Sequence, residues 1–294
     1  MANPKVALVG GESLLGQDVL DVFRERLPKV DVKLVGSEDA AILTADAGEA
    51  VVMTGLDGDA LAEADVIVLA GGPESTAKAL EMLDETLEPG DRRPAVINLA
   101  DAHPVALVLG RFLRELHARF PIVRCVAKVF TPASERGRAG VNELHQQTSQ
   151  LFTFKPIDKT VFGDQLAFNM LVGQVDTDTI ERHLKPLLGG APMPSLRAIQ
   201  VSVMHGLSFS LWVEFTARPE VEALAALQSD DIDFRGPGLD PPNPVGIVGL
   251  DGIFVGSVER DRQHPNGMWL WLAADNFRVA AVNAARVVES LLRP

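Results

Sequence analysis

The chain has 294 residues, 47% of them hydrophobic and 23% charged, which places it among folded globular proteins with room for two domains. Its formal net charge of −13 excludes nucleic acid and anionic membrane surfaces as partners, since both select clustered Lys and Arg. A single cysteine excludes an internal disulfide and fits a reducing compartment.

Met1-Ala2-Asn3-Pro4-Lys5 runs directly into a short strand, and no segment is apolar over the length a signal peptide or membrane span needs. The expectation is a soluble cytoplasmic protein. Lys5–Val9 reads as a strand, Gly10–Gly16 as a turn, and Gln17–Arg26 as an amphipathic helix. Val30–Val35, Ala50–Met53 and Ala64–Ala70 follow as strands, the last closed by Gly71-Gly72-Pro73. Glu74–Glu85 has helical spacing and Ala95–Leu99 is again an apolar strand. Strand and helix in alternation predict a parallel sheet with crossover helices.

Val105–Arg119 reads as a helix with Val105, Leu109, Phe112, Leu113 and Leu116 on one face, followed by a strand at Ile122–Phe130. A turn at Ser134–Gly140 leads to a helix through Leu144. Arg197–Val203, Leu207–Phe215, Gly252–Val258 and Met268–Ala273 alternate as strands, and Asp230–Pro244 reads as a loop. Many strands with few helices predict a mixed or antiparallel sheet. Asp275–Leu292 carries helical spacing to the end. No metal-ligand spacing joins the six histidines.

Two features bear on chemistry. Gly10-Gly11-Glu12-Ser13-Leu14-Leu15-Gly16 turns a strand into a helix, where unpaired N–H groups and glycines admit a pyrophosphate. Any tight strand-to-helix turn also favours glycine, and Glu12 opposes a phosphate, so a structural turn and a cofactor loop both remain open. Cys125 lies inside a β-branched strand, whereas a reactive thiolate needs a helix N-terminus or a basic partner. It is expected to be a buried, inert, small hydrophobe. His103 opens a helix and reads as a capping or surface group.

Val6-Ala7-Leu8-Val9-Gly10-Gly11-Glu12-Ser13-Leu14-Leu15-Gly16-Gln17 resembles the first turn of aspartate-semialdehyde dehydrogenases, VAVVGATGAVGQ. Phe162–Leu171 is similar to the family's internal F-N-hydrophobic segment. Ile253-Phe254-Val255-Gly256-Ser257-Val258-Glu259-Arg260-Asp261, with Asn266-Gly267 and Leu270–Arg278, resembles VFVGRIRRD…NGLNLWVVADNLR. The resemblance runs in order along nearly the whole chain. It implies an α/β protein: a Rossmann-type parallel-sheet domain at residues 1–101 plus 276–294, and an α+β dimerisation domain at 102–275. It implies a homodimer, and dinucleotide contacts at Gly10, Gly11, Ser13, Leu14, Leu15, Gly16, Ser37, Gly71, Gly72 and Asn276.

Departures from the family pattern decide the functional expectation. Where the nucleophilic cysteine opens a helix, this chain reads Asp101-Ala102-His103-Pro104. Gln200 replaces the substrate arginine, Leu207 replaces the general-base histidine, and the active-site glutamine falls near Thr131. Without a thiolate no covalent intermediate forms, and without the histidine nothing takes the thiol proton. Gln200 makes no bidentate pair with a carboxylate. The expectation is a non-catalytic homologue binding a dinucleotide or a protein partner; the alternative is an active NAD(P)-dependent semialdehyde dehydrogenase of amino-acid biosynthesis. Ser37-Glu38-Asp39-Ala40 stands where the family carries a basic residue for the 2′-phosphate, so NAD is expected over NADP. Phe209 and Leu211 share a strand face, as do Trp269 and Trp271, and the four are expected on an exposed sheet face that pairs the subunits, the alternative being that they face helices of the same subunit.

Overall fold

A computed structural model describes residues 3–36, 42–46, 49–236 and 238–293. Ser37, Glu38 and Asp39, expected to choose between NAD and NADP, lie outside the described residues. The chain forms two compact units, Met1–Ala102 with Ala280–Pro294, and His103–Val279.

In the first unit, β1 (Lys5–Val9), α1 (Leu14–Arg26), β2 (Asp31–Val35), β3 (Ile42–Asp46), β4 (Glu49–Met53), α2 (Gly58–Ala62), β5 (Val66–Leu69), α3 (Pro73–Thr86) and β6 (Ala95–Asn98) follow in order. The four-stranded sheet β2-β1-β5-β6 is parallel throughout. Its central strands β1 and β5 are apolar on both faces because both are covered. Val6 and Leu8 join α1's Val19, Val22 and Phe23 and residues Ala281, Ala284, Ala285 and Val288. Ala7 and Val9 pack on the other face with Leu61, Ala79 and Leu83. α1 begins three residues earlier than its periodicity predicts, because Ser13 caps it: Gly16 N donates to Ser13 Oγ at 2.8 Å. The strand expected at Ala50–Met53 pairs antiparallel with β3, which polar punctuation hid.

The second unit comprises α4 (Pro104–Arg119), β7 (Ile122–Thr131), α5 (Gly137–Phe152), β8 (Met170–Val172), α6 (Thr177–Leu184), β9 (Ser195–Val201), β10 (Leu207–Phe215), β11 (Ile232–Phe234), α7 (Pro244–Ile247), β12 (Ile253–Arg260) and β13 (Gly267–Ala274). α8 (Asn276–Leu292) starts here. The sheet is mixed, in the order β11-β12-β13-β10-β7-β9-β8, with β7–β9 and β11–β12 parallel. α4 has Pro104 at its first turn and buries Val105, Leu109, Phe112, Leu113 and Leu116 against the sheet. Each such side chain contributes roughly 1.5–3 kcal/mol of burial.

Three expectations are corrected here. The helix after the Ser134–Gly140 turn begins at Gly137 and runs to Phe152, well past Leu144, because its inward positions are polar rather than apolar. Glu143, Gln147 and Gln150 hold the following loop: Glu143 accepts from Val161 N and Phe162 N, and Gln147 Oε1 accepts from Leu166 N and Ala167 N at 2.7 and 3.0 Å. Gln150 Oε1 accepts from Asp158 N at 2.9 Å. The Asp230–Pro244 loop contains β11, whose three residues are too short to show a pattern but bury Ile232 and Phe234 beside β12.

The third correction concerns sheet faces. Register pairs Phe209 with Leu272 and Leu211 with Leu270, while Trp271 pairs with Ser210 and Trp269 with Trp212. Phe209 and Leu211 are therefore inside, under α4, and the tryptophans are on the opposite face. That outer face carries Val126, Phe130, Ile199, Val172, Met170 and Trp269, four of them exposed.

Candidate functional site

A cavity of about 220 Å³ in the second unit is lined by His103, Thr131, Glu135, Arg136, Asp176 and Gln200. His103 comes from the start of α4, Thr131 from the end of β7, and Gln200 from its register partner on parallel β9. Glu135 and Arg136 lie in the single turn of 3₁₀ helix before α5, and Asp176 caps α6.

His103 caps its own helix: Val105 N donates to Nδ1 at 3.2 Å. An accepting Nδ1 assigns the ring proton to Nε2, which stands 3.5 Å from Glu135 Oε2. The His103 main-chain N–H donates to His183 Nδ1 at 3.1 Å. Burial first, then His183, pushes the His103 imidazole down to about 4, with Asp176 opposing; the ring is neutral at pH 7. Burial pushes the Glu135 carboxyl up to about 7, against the pull of the Asn276 amide and the Arg136 guanidinium. Glu135 Oε1 is buried without a well-formed hydrogen bond. A neutral imidazole and a carboxyl near half-ionisation thus line one partly open cavity.

Three of the donors around them are engaged. Gln200 Nε2 donates to the Thr131 carbonyl at 2.8 Å, Thr131 Oγ1 donates to the Ile199 carbonyl at 3.2 Å, and Arg136 Nη2 donates to the Gln174 carbonyl at 2.6 Å. Cys125 is not part of the cavity. It faces the core with Ala127 and Val129, is 3% exposed, and burial raises its thiol to about 12.

The first unit holds the other candidate site, at the carboxyl ends of β1 and β5, which run side by side while their following helices leave on opposite faces. Gly10, at φ +80°, approaches Gly71 so closely that a Cβ would lie 2.5 Å from Gly71 N; one on Gly16 would lie 2.2 Å from the Gly10 carbonyl oxygen. Both glycines are required by backbone packing whatever binds there. Ser13 takes the N–H of Gly16 and donates to the Ala70 carbonyl, leaving those of Leu14 and Leu15 without intrahelical acceptors. Gly72, opening α3, has open space around it. Strand ends, helix N-terminus and glycines fit a pyrophosphate.

Residues 113–279 match the semialdehyde dehydrogenase dimerisation domain family. The chain belongs to the semialdehyde dehydrogenase family. An aspartate-semialdehyde dehydrogenase of Rickettsia bellii is 22% identical over 98% of this chain and 97% of its own length. A USG-1 protein homolog of Pseudomonas aeruginosa is 31% identical over 78% and 72%. Among solved structures, a probable aspartate-semialdehyde dehydrogenase from Pseudomonas aeruginosa superposes with a TM-score of 0.84 at 26% identity, covering 99% of this chain and 98% of the other. The fold is the family's: a parallel-sheet unit and a mixed-sheet unit.

Within that fold, His103, Thr131 and Gln200 meet around one cavity, although the first and last stand 97 positions apart. Leu207, the fourth singled-out position, is buried in the hydrophobic core instead. Asn276 is buried and engaged inside the second unit: its Oδ1 accepts from Gly206 N at 3.2 Å and its Nδ2 donates to Ser134 Oγ at 3.1 Å. Asp275 caps α8, accepting from Phe277 N and Arg278 N, so both residues of this Ala-Asp-Asn segment serve structure. Glu135, Arg136 and Asp176 were missed by sequence reasoning. A carboxylate in a turn looks like a solvated one, and only the cavity around Glu135 distinguishes it. Among the described residues, no group of His, Cys, Asp and Glu is arranged to hold a metal, and no helix is long and apolar enough to cross a membrane.

Proposed function

We propose that this member of the semialdehyde dehydrogenase family lacks dehydrogenase chemistry and acts as a binding protein. One observation carries the reading: the only thiol of the chain sits on the inner face of β7, outside the cavity, with its proton held to about 12. A thiol so placed supplies no thiolate to an aldehyde carbon. Gln200 at the cavity supports the reading, because its amide nitrogen is spent on the Thr131 carbonyl and offers no charge to a carboxylate.

A dinucleotide would lie against Gly10, Gly11, Ser13–Gly16, Gly71 and Gly72. Bound there it would supply a hydride acceptor; the residues themselves only orient its phosphates on the α1 N-terminus. The subunit would pair with a second copy through the outer sheet face, where Val126, Met170, Val172 and Trp269 stand exposed and which falls within the matched dimerisation domain.

The names of the full-length relatives favour a second reading, an active aspartate-semialdehyde dehydrogenase. The two separate in a coupled assay of aspartate semialdehyde with phosphate and NAD or NADP. The proposal expects no turnover above buffer. Turnover that disappears in Cys125→Ser would replace it with the second reading.

A further inference from the structure

Ser13 bridges the crevice between the ends of β1 and β5 from within the chain. Its hydroxyl bonds to both walls: Oγ accepts from Gly16 N at 2.8 Å on the α1 side and donates to the Ala70 carbonyl at 3.0 Å on the β5 side. That uses its one proton, and Ser13 N is also engaged, donating to the Gly10 carbonyl at 3.0 Å. A phosphate arriving at this helix end finds the N–H groups of Leu14 and Leu15, with that of Gly16 already taken. VAVVGATGAVGQ, which the turn resembles, has glycine where Ser13 stands, and a glycine there lets a pyrophosphate approach the backbone. On the β5 side, Ser75 Oγ at the start of α3 is buried without a hydrogen-bond partner, packed so closely on Gly71 that a Cβ there would lie 2.1 Å away. One wall of the crevice thus has a donor to spare, and on the other Ser13 consumes one.

We propose that Ser13 competes with the diphosphate of a dinucleotide and sets the affinity of this site. The inference rests on the reading of the glycine turn as a dinucleotide site, and it names the residue that tunes it. In the free chain the hydroxyl gives Gly16 N–H a neutral acceptor. A phosphate oxygen is a charged one, which gains more from the same N–H and from the α1 N-terminus. With Ser13 in place, the phosphate meets a bond already made and a side chain between itself and the backbone. Removing that side chain hands the N–H to the ligand, at the cost of the cap in the unliganded helix.

Calorimetry on the full chain tests this with ADP and NAD as probes and adenosine as the probe without phosphate. Ser13→Gly should bind ADP and NAD about tenfold more tightly than the unmodified chain, the gain expected of one charge-assisted hydrogen bond over a neutral one. Its affinity for adenosine should be unchanged. Ser13→Ala frees the N–H but keeps a methyl group in the crevice, and should gain about threefold. Ser13→Thr keeps the hydroxyl and should gain nothing. Thermal midpoints read the same exchange from the other side: saturating ADP should raise that of Ser13→Gly by more than that of the unmodified chain. A residue that only caps its helix predicts equal or weaker ADP binding in Ser13→Gly, and that result would overturn the proposal. An equal gain for adenosine, or no ADP binding by Ser13→Gly, would overturn it too. Should Ser13→Gly fail to fold, the direction of the Ser13→Ala change decides. The dinucleotide reading itself is judged on the unmodified chain: NAD binding to Ser13→Gly alone would end that reading for the native protein and uphold the role of Ser13.

Discussion

His103 Nε2 faces Glu135 Oε2 at 3.5 Å, and the two groups are displaced in opposite directions, the imidazole down to about 4 and the carboxyl up to about 7. Neither gains a charge from the other; both lose one to burial. Such a pair stands as two neutral neighbours rather than a salt bridge at mildly acidic pH.

The two shifts set opposite pH slopes on stability. Glu135 has a raised folded value, so its contribution is present below its unfolded value of about 4.5 and is lost as pH rises to about 7. His103 has a lowered folded value, so its contribution is present above about 6.5 and is lost as pH falls to about 4. Denaturant midpoints for Glu135→Gln should therefore gain on the unmodified chain between pH 5 and pH 8, by on the order of 2–3 kcal/mol. A pH-independent difference between the two would show that Glu135 is solvated.

Cys125 should resist thiol reagents in the native state, with labelling no faster than local opening of β7 allows. Its removal is a packing change only. Cys125→Ala should cost about 1 kcal/mol and leave ligand binding intact. Labelling at the rate of a free thiol would contradict its position under α4.

Gln147 closes the loop that follows α5, donating to the Asp158 carbonyl at 2.6 Å while accepting from Leu166 N and Ala167 N. Gln147→Ala strands two buried N–H groups and should cost about 2–4 kcal/mol. Hydrogen exchange would localise the loss: the amides of Leu166 and Ala167 should become the first in this unit to lose protection. A uniform loss across the sheet would argue for a different anchor.

Gly10→Ala should destabilise the first unit by about 2 kcal/mol or more, because φ is +80° and the new methyl would meet Gly71 N. Gly72→Ala, with open space around it, should be nearly neutral to stability. If it nevertheless weakens a dinucleotide, the loss reports a ligand approaching α3, which the unliganded packing alone would not produce.

On the outer face of the mixed sheet, Trp269 is 38% exposed beside Trp212, which has Val126 on its other side. Trp269→Glu should convert a light-scattering mass of twice 31.6 kDa to 31.6 kDa at micromolar concentration. A monomeric unmodified chain would remove the proposed pairing altogether.

Local pattern was enough for much of this molecule. The apolar run Lys5–Val9, the glycine turn and the helical spacing of Val105–Arg119 are properties of adjacent residues, so periodicity alone identified parallel strands, a helix-capped turn and the core face of α4. The buried strand around Cys125 was legible for the same reason. Tertiary structure alone decided the rest. Register across β10 and β13 sent Phe209 inward and Trp271 outward, a choice of face that one residue of slip reverses and that neither strand encodes by itself. Burial made Glu135 unusual. Its carboxyl keeps its proton to about 7 because it is buried, and the residues that line the cavity with it come from positions scattered between 103 and 200.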